Sequence, residues 1–242
     1  MSATIHHYDE LGSTNDEAMR LAREGAADGT WVLADRQTAG RGRRGRAWES
    51  KGGNLFTTAI VRPWPGEGAL SQLSFLVALA LHEATTHWVA RDRLALKWPN
   101  DVLLDGAKLS GVLLESASHG NGGDRWLVVG IGVNLADHPE GLERPAMSLA
   151  GAGVTPPTPR DFLEKLIEAF GVWRERWRLG GFAPIRTAWL ARAAGLGQRI
   201  AVRLPDSTLE GQFLDVAEDG ALLLRLDSGA IEPIHAGDIF GI

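Results

Sequence analysis

The sequence predicts an α+β fold, in which helices pack on a mixed sheet and a small antiparallel barrel follows at the C-terminus. Three observations predict it. Apolar, β-branched runs at 31–34, 54–61, 108–115 and 126–134 are interspersed with helix-period segments at 14–24, 69–90 and 159–177. From Arg199 the pattern changes to short strands with a turn every eight or ten residues. The 242 residues are enough for one medium domain and a small one, with a core that needs no covalent staples.

In order along the chain, Thr14 caps a first helix and Glu17 reaches back to it from three residues on. Ala18, Leu21 and Ala22 form the apolar face, and Gly25 ends the helix. Ser13, Thr14 and Asn15 thus sit at a helix N-terminus, where backbone N–H groups and small polar side chains point outward. Residues 31–34 form a buried strand that leads into Gln37, and residues 54–61 form a second strand. From 69 to about 90, Leu70, Leu73, Val77, Leu81, Ala84 and Trp88 recur at intervals of three and four, which makes a long core helix.

The run Lys97-Trp98-Pro99-Asn100-Asp101 is a fixed bend, because Pro99 excludes a central strand position and holds Trp98 extended. It presents Asn100 and Asp101. Asp105-Gly106 is a hairpin turn signal, so Lys108 opens the returning strand. Residues 116–124 are rich in Gly, Ser and Asn and read as a mobile surface loop. The strand at 126–134 carries Gly130 and Gly132, which mark a bulge or the close approach of another group, and ends at Asn134.

After a Gly/Pro-rich linker at 150–157, Thr158 caps a helix with Pro159 at its first position. Phe162, Leu166, Phe170, Trp173 and Trp177 lie on one side of it. A short helix over 184–194 ends at Gly195. Strands at 199–204, 209–216, 221–226 and 230–234 then make the barrel. The expected domains are 1–195 and 196–242.

Composition narrows the chemistry. With no cysteine there are no disulfides, thiolate metal sites or cysteine nucleophiles, and a reducing cytoplasm is the expected location. The N-terminus has no leader pattern, and no apolar run nears the roughly 18 residues of a membrane span. The seven histidines include no pair at metal-ligand spacing, so no protein metal cage is expected. A net charge of −5 weighs against a nucleic-acid partner.

The exception to that acidity is Gly40-Arg41-Gly42-Arg43-Arg44-Gly45-Arg46. Its glycines permit positive φ while its arginines supply a dense set of cationic donors, a composition suited to wrapping an anion. Gly40, Gly42 and Gly45 match a dinucleotide fingerprint only by spacing, since no helix opens after them. A phosphate loop would need Lys-Ser/Thr where Arg46-Ala47 stands. Taken singly, the clusters also read as ordinary structure: Thr14 as a helix cap, Lys108 as a solvated edge lysine, Asn134 as a turn former, and the arginine run as a basic patch or nucleic-acid contact.

Four blocks together resemble the signature of the biotin protein ligases. They are Gly40 to Trp48, Lys97-Trp98-Pro99-Asn100-Asp101, Lys108-Leu109-Ser110-Gly111-Val112 and Gly130-Ile131-Gly132-Val133-Asn134, in the family's order and spacing. The resemblance implies a catalytic domain similar to class II aminoacyl-tRNA synthetases and an SH3-like C-terminal barrel. It implies that biotin and ATP form biotinyl-5′-AMP, and that a lysine of a biotin carboxyl carrier protein then takes the biotin. Arg43 and Lys108 are the expected catalytic residues. Ser13, Thr14, Asn15, Gln37, Gly40, Arg41, Lys108 and Gly111 are expected at biotin, and Arg41, Arg43, Arg46, Trp48, Asn100, Asp101, Lys108 and Asn134 at ATP, with Mg²⁺ carried in by the nucleotide.

A glycine-rich loop that orders when filled would keep water from the adenylate. Ala146-Met147-Ser148-Leu149 departs from the family's Ala-Thr-Ser-Leu, which puts a hydroxyl contact at Met147 in doubt. Some relatives carry a DNA-binding domain in front; this chain starts at the catalytic domain, so no repressor activity is expected. An exposed strand edge could pair two copies. The rival readings are a lipoate ligase, which shares the adenylate logic but lacks the arginine run, and a nucleic-acid module centred on that run.

Overall fold

The computed structural model describes residues 3–42, 45–49, 52–64, 69–118 and 125–241. A seven-stranded sheet organises the larger part. Its strands are β1 (Ile5–Leu11), β2 (Trp31–Gln37), β3 (Leu55–Val61), β4 (Leu94–Lys97), β5 (Asp101–Leu104), β6 (Ala107–Ser118) and β7 (Arg125–Val133), in the order β1-β2-β3-β7-β6-β5-β4. The β1–β2 pair is parallel and the other neighbours are antiparallel, so the sheet is mixed.

Strand alternation divides the apolar residues between the two faces. Trp31, Leu33, Ala59, Val61, Leu96, Val102, Leu127 and Val129 join one large core with helices α2 (Leu73–Thr85), α3 (Pro159–Gly180) and α4 (Phe182–Leu190). Helix α2 is buried nearly all round, between the sheet and α3, which explains why its sequence is apolar on every side. On the opposite face Val32, Ile60, Trp126 and Val128 form a second, smaller core with Ala18 and Ala22 of helix α1 (Thr14–Arg23). Because α1 contacts β2, β3 and β7, the rest of that face, over β7, β6 and β5, is the floor of a cavity.

The C-terminal unit is a five-stranded antiparallel sheet of β8 (Arg199–Arg203), β9 (Thr208–Val216), β10 (Leu222–Arg225), β11 (Ile231–Ile234) and β12 (Asp238–Phe240), in the order β11-β10-β9-β8-β12. Its Phe213, Val216 and Leu222 continue the main core. Trp98 Nε1 donates to the Gly220 carbonyl at 3.0 Å, and Gln72 Nε2 to that of Glu218 at 2.8 Å.

Several expectations change. β1 and β12 were not anticipated; β1 is half polar on an edge, and β12 has only three residues. The cap of α1 is Ser13, whose side chain makes no capping bond, and Glu17 bonds Tyr8 and Arg20 instead of closing a capping box. Helix α2 is shorter than 69–90, with a 3₁₀ turn before it. Strand β6 runs to Ser118, into the stretch expected to be loop; residues 119–124 of that stretch lie outside the described ones. The Asp105-Gly106 turn is as expected, with φ of 51° and 79°. So is the Thr158 cap, whose hydroxyl accepts from Asp161 N–H at 3.1 Å.

Candidate active site

The cavity over β7, β6 and β5 has a volume of about 540 Å³ and is lined by Ser13, Thr14, Asn15, Gln37, Arg41, Arg46, Trp48, Asn100, Asp101, Lys108, Gly111 and Asn134, so the dispersed motifs converge there. Gly40 stays behind it, where its carbonyl accepts from Trp48 N–H at 2.9 Å. Arg43 lies outside the described residues.

At the α1 end the side chains are neutral and closely bonded. Ser13, Thr14 and Asn15 are at most 5% exposed. The Thr14 backbone N–H and hydroxyl both donate to Gln37 Oε1, at 2.8 and 3.1 Å. The Thr58 hydroxyl stands 2.8 Å from Thr14 Oγ1 and 2.7 Å from Asn15 Oδ1. Asn15 Nδ2 donates to Glu115 Oε2 at 2.6 Å. Gly130 is required here: a Cβ on it would stand 2.3 Å from Asn15 Oδ1.

In the middle, Trp48 packs against glycine. A Cβ at Gly132 would come within 2.4 Å of its ring, and one at Gly111 within 3.2 Å. Lys108 Nζ is 5.7 Å from the centre of the same ring, within cation–π range. Trp48 is placed by the pairing of 41–42 with 46–47, in which Arg41 bridges Ala47 and Gly42 N–H donates to the Arg46 carbonyl at 2.7 Å. The Arg41 guanidinium grips Asp16 of α1 with two bonds of 2.8 and 2.6 Å, and this contact holds the Asp16 carboxyl below the usual carboxylate range.

The far end is ionic. Lys108 Nζ is 2.7 Å from Asp101 Oδ1. Arg46 donates to Asp238 Oδ2 at 2.9 Å, and Arg144 reaches the same oxygen at 3.0 Å. Burial of Asp238 opposes its ionisation, but the Arg144 and Arg46 contacts outweigh it and keep the carboxyl below its ordinary range. Asp238 is on β12, so the C-terminal sheet contributes to this wall. Arg144 and Arg203 also stack on Phe240 at 4.6 and 4.2 Å.

Two polar residues serve the frame as well as the cavity. Asn100 Nδ2 donates to the Val112 carbonyl and ties the bend to β6. Asn134 Nδ2 is 3.3 Å from the carbonyls of both Lys108 and Met147, which ties the end of β7 to that backbone while the residue still lines the cavity. Met147 acts through its main chain, with N–H donating to the Lys108 carbonyl at 2.9 Å, while its side chain packs against the main core.

Sequence reading missed Thr58, Glu115, Lys97, Arg144 and Asp238. None sits in a motif that pointed to it except Lys97, which stands inside the Lys97-Trp98-Pro99-Asn100-Asp101 run. Among the described residues, no group of three or more His, Cys, Asp or Glu could hold a metal ion, and no helix is long and apolar enough to cross a membrane.

Residues 11–134 match the biotin/lipoate A/B protein ligase family, and residues 195–240 match the biotin protein ligase C-terminal domain. A biotin–[acetyl-CoA-carboxylase] ligase of Paracoccus denitrificans is 45% identical over 94% of this chain and 96% of its own. The bifunctional ligase/repressor of Bacillus subtilis is 33% identical over 99% of this chain and 74% of its own. The biotin protein ligase of Aquifex aeolicus, solved in complex with biotin and ATP, superposes with a TM-score of 0.81 at 28% identity, covering 98% of this chain and 97% of that one.

Proposed function

Since the chain belongs to the biotin protein ligase family, we propose that the two ends of its cavity divide the substrates, biotin at the neutral end and the phosphates of ATP at the ionic one. The chain is an ATP-dependent biotin protein ligase, which activates biotin as biotinyl-5′-AMP with release of pyrophosphate and then passes the biotinyl group to a lysine. The observation that carries the division is the change of chemistry along one glycine-relieved floor, from Thr14, Asn15 and Gln37 to Asp101, Lys108 and Arg46.

Biotin's ureido ring offers two N–H donors and a carbonyl acceptor. Ser13, Thr14, Gln37 and the Gly111 backbone are the groups that would meet it, with Asn15, held by Thr58 and Glu115, fixing the wall behind. Lys108 would neutralise charge on the α-phosphoryl oxygens as the carboxylate of biotin attacks, with Arg43 assisting from the arginine loop. Trp48 would cover adenine. Arg41, already latched to Asp16, would hold the loop rather than the nucleotide. Arg41 and Arg46 are both paired with carboxylates, which leaves less of their charge for a polyanion such as DNA.

Mg²⁺ would arrive on ATP, held by phosphate oxygens and water, since the cavity's Asp101 and Asp238 are already neutralised by cations. The acceptor would be a lysine of a biotin carboxyl carrier protein. A cytoplasmic location suits a chain without cysteine. The open edge of β1, outermost in the sheet, would be the place for two copies to pair. Isotope exchange between pyrophosphate and ATP tests the reading: exchange should require biotin, and exchange that ignores biotin or that lipoate supports equally would reject it.

A further inference from the structure

Glu115 brings a carboxylate up behind the α1 end of the cavity. On β6, Val112 and Leu114 pack in the main core, so alternation turns Leu113 and Glu115 to the face that carries α1. There Glu115 Oε2 accepts from the Asn15 amide at 2.6 Å. The same oxygen is 3.6 Å from Arg41 Nη2, a cation that compensates its charge. An ionised carboxylate only accepts, so the NH₂ of Asn15 has to face it and the Asn15 oxygen has to face Thr58.

On the other side the direction is fixed as well. The Thr14 N–H is outside the helix ladder because α1 begins there, and it donates to Gln37 Oε1 at 2.8 Å. Gln37 therefore turns its carbonyl oxygen to the Thr14 hydroxyl. A row of four oxygens results, Asn15 Oδ1, Thr58 Oγ1, Thr14 Oγ1 and Gln37 Oε1, spaced 2.7, 2.8 and 3.1 Å apart. Its three contacts share only two hydrogens, those of the Thr58 and Thr14 hydroxyls. Thr58 is fully buried, so water does not reach its hydroxyl. Fewest contacts lack a hydrogen when both hydrogens stay within the row, and what the row then turns to the cavity is lone pairs.

We propose that Glu115 is a positioning residue for biotin that acts through Asn15: its carboxylate sets the direction of this row, so that the pocket offers acceptors to the ureido N–H groups. This rests on the ligase reading above. Asn15, Thr14 and Gln37 line the cavity, and Glu115 stands behind them. With an amide in place of the carboxylate, an NH₂ at position 115 would donate to Asn15 Oδ1. Asn15 would then turn its own NH₂ to Thr58, and each of the three contacts would hold a hydrogen. One acceptor fewer would remain for the ligand. The ureido ring has two N–H groups to satisfy, and one that meets a filled acceptor loses its hydrogen bond.

The test compares biotin with a cyclic carbamate analogue, in which one ureido N–H is replaced by oxygen, on the full-length protein. Of the two carbamate isomers, the one that the parent binds more weakly is used. In isothermal titration, Glu115→Gln should weaken biotin about 5- to 10-fold and the carbamate by no more than about twofold, so that the preference for biotin shrinks. The KM for ATP should stay unchanged. Thr58→Val cuts the row between Asn15 and Thr14, and in that background Glu115→Gln should no longer alter the preference. Equal weakening of both ligands would mean a structural role only. A raised KM for ATP with the preference kept would assign Glu115 to the arginine loop through Arg41, and an undiminished effect in Thr58→Val would remove the row from the path. Each of these overturns the proposal. If Glu115→Gln does not fold, Glu115→Ala, which frees the Asn15 amide to turn, decides by the same ratio. Failure of the unsubstituted protein to bind biotin would instead reject the ligase reading itself.

Discussion

The two ends of the cavity are built on opposite rules. At the α1 end nearly every polar atom already has a short partner: Thr14 with Gln37, Thr58 with Asn15, Asn15 with the Glu115 carboxylate behind it. At the barrel end the side chains are charged, and Lys97 has no ion-pair partner among the described residues. A satisfied hydrogen-bond network is rigid and reads shape and hydrogen-bond pattern, which suits an uncharged ring. An unbalanced ionic cluster is not stable in its own right and gains most from an anion. The lesson is that one floor can carry two different chemistries.

Substitutions should respect that boundary. The largest effect is expected from Lys108→Ala, which should slow adenylate formation by about 10²- to 10³-fold while biotin affinity falls far less. Equal losses in a biotin titration and in single-turnover adenylation would erase the boundary. Next come two alanines on β7. Gly130→Ala places a methyl 2.3 Å from Asn15 Oδ1, and Gly132→Ala places one 2.4 Å from the Trp48 ring. Either overpacking costs about 1–3 kcal/mol. The first should raise the KM for biotin and the second the KM for ATP; the same parameter rising in both would mean that the floor moves as one piece.

Smaller still is Thr14→Val, which keeps the volume but removes one hydroxyl from the neutral network. The expected loss is about 1–2 kcal/mol in biotin binding, with the KM for ATP unchanged, as isothermal titration and initial rates would report. The smallest effect concerns His82, a buried titratable group outside the cavity, 1% exposed on α2. Burial lowers its pKa to about 4, helped by Arg192 and Arg91 and opposed by Glu83. Its folded pKa is below the unfolded value, so its stabilising effect is complete above about pH 6.5 and is lost as pH falls towards about 4. By about pH 5.5 the loss should be about 1 kcal/mol, and thermal melts of His82→Leu should lack that component. If acid instead altered ligand affinity through His82, the contrast between core and cavity would fail.

Much of the site was legible before the fold. Gly130 and Gly132 announced a close approach, and the structure supplies the approaching atoms, Asn15 and Trp48. The arginine run, the Lys97 to Asp101 bend and Lys108 converge on one cavity. Roles were harder to read. For Asn134, an expected ATP contact, the structure adds that its amide nitrogen lies between two carbonyls. Glu17 looks like half of a capping box, yet Tyr8 and Arg20 claim it. For Glu17 a distant partner outbid the local one, because a hydrogen bond depends on where atoms meet rather than on spacing along the chain.

The amino-acid sequence by itself determined the local conformations whose causes are local: the Asp105-Gly106 turn, the Thr158 cap with Pro159 behind it, and the apolar runs that had to be buried. It also determined the chemistry of the arginine run. Only the tertiary structure decided which of two neighbouring lysines is paired and which is left in excess, since Asp101 lies against Lys108 while Lys97 is buried one strand away. It also decided that Asp238, 192 residues from Arg46, closes the ionic wall from another sheet. Periodicity and propensity report how a residue meets its own segment, whereas net charge in a buried cluster depends on groups from every segment that reaches it.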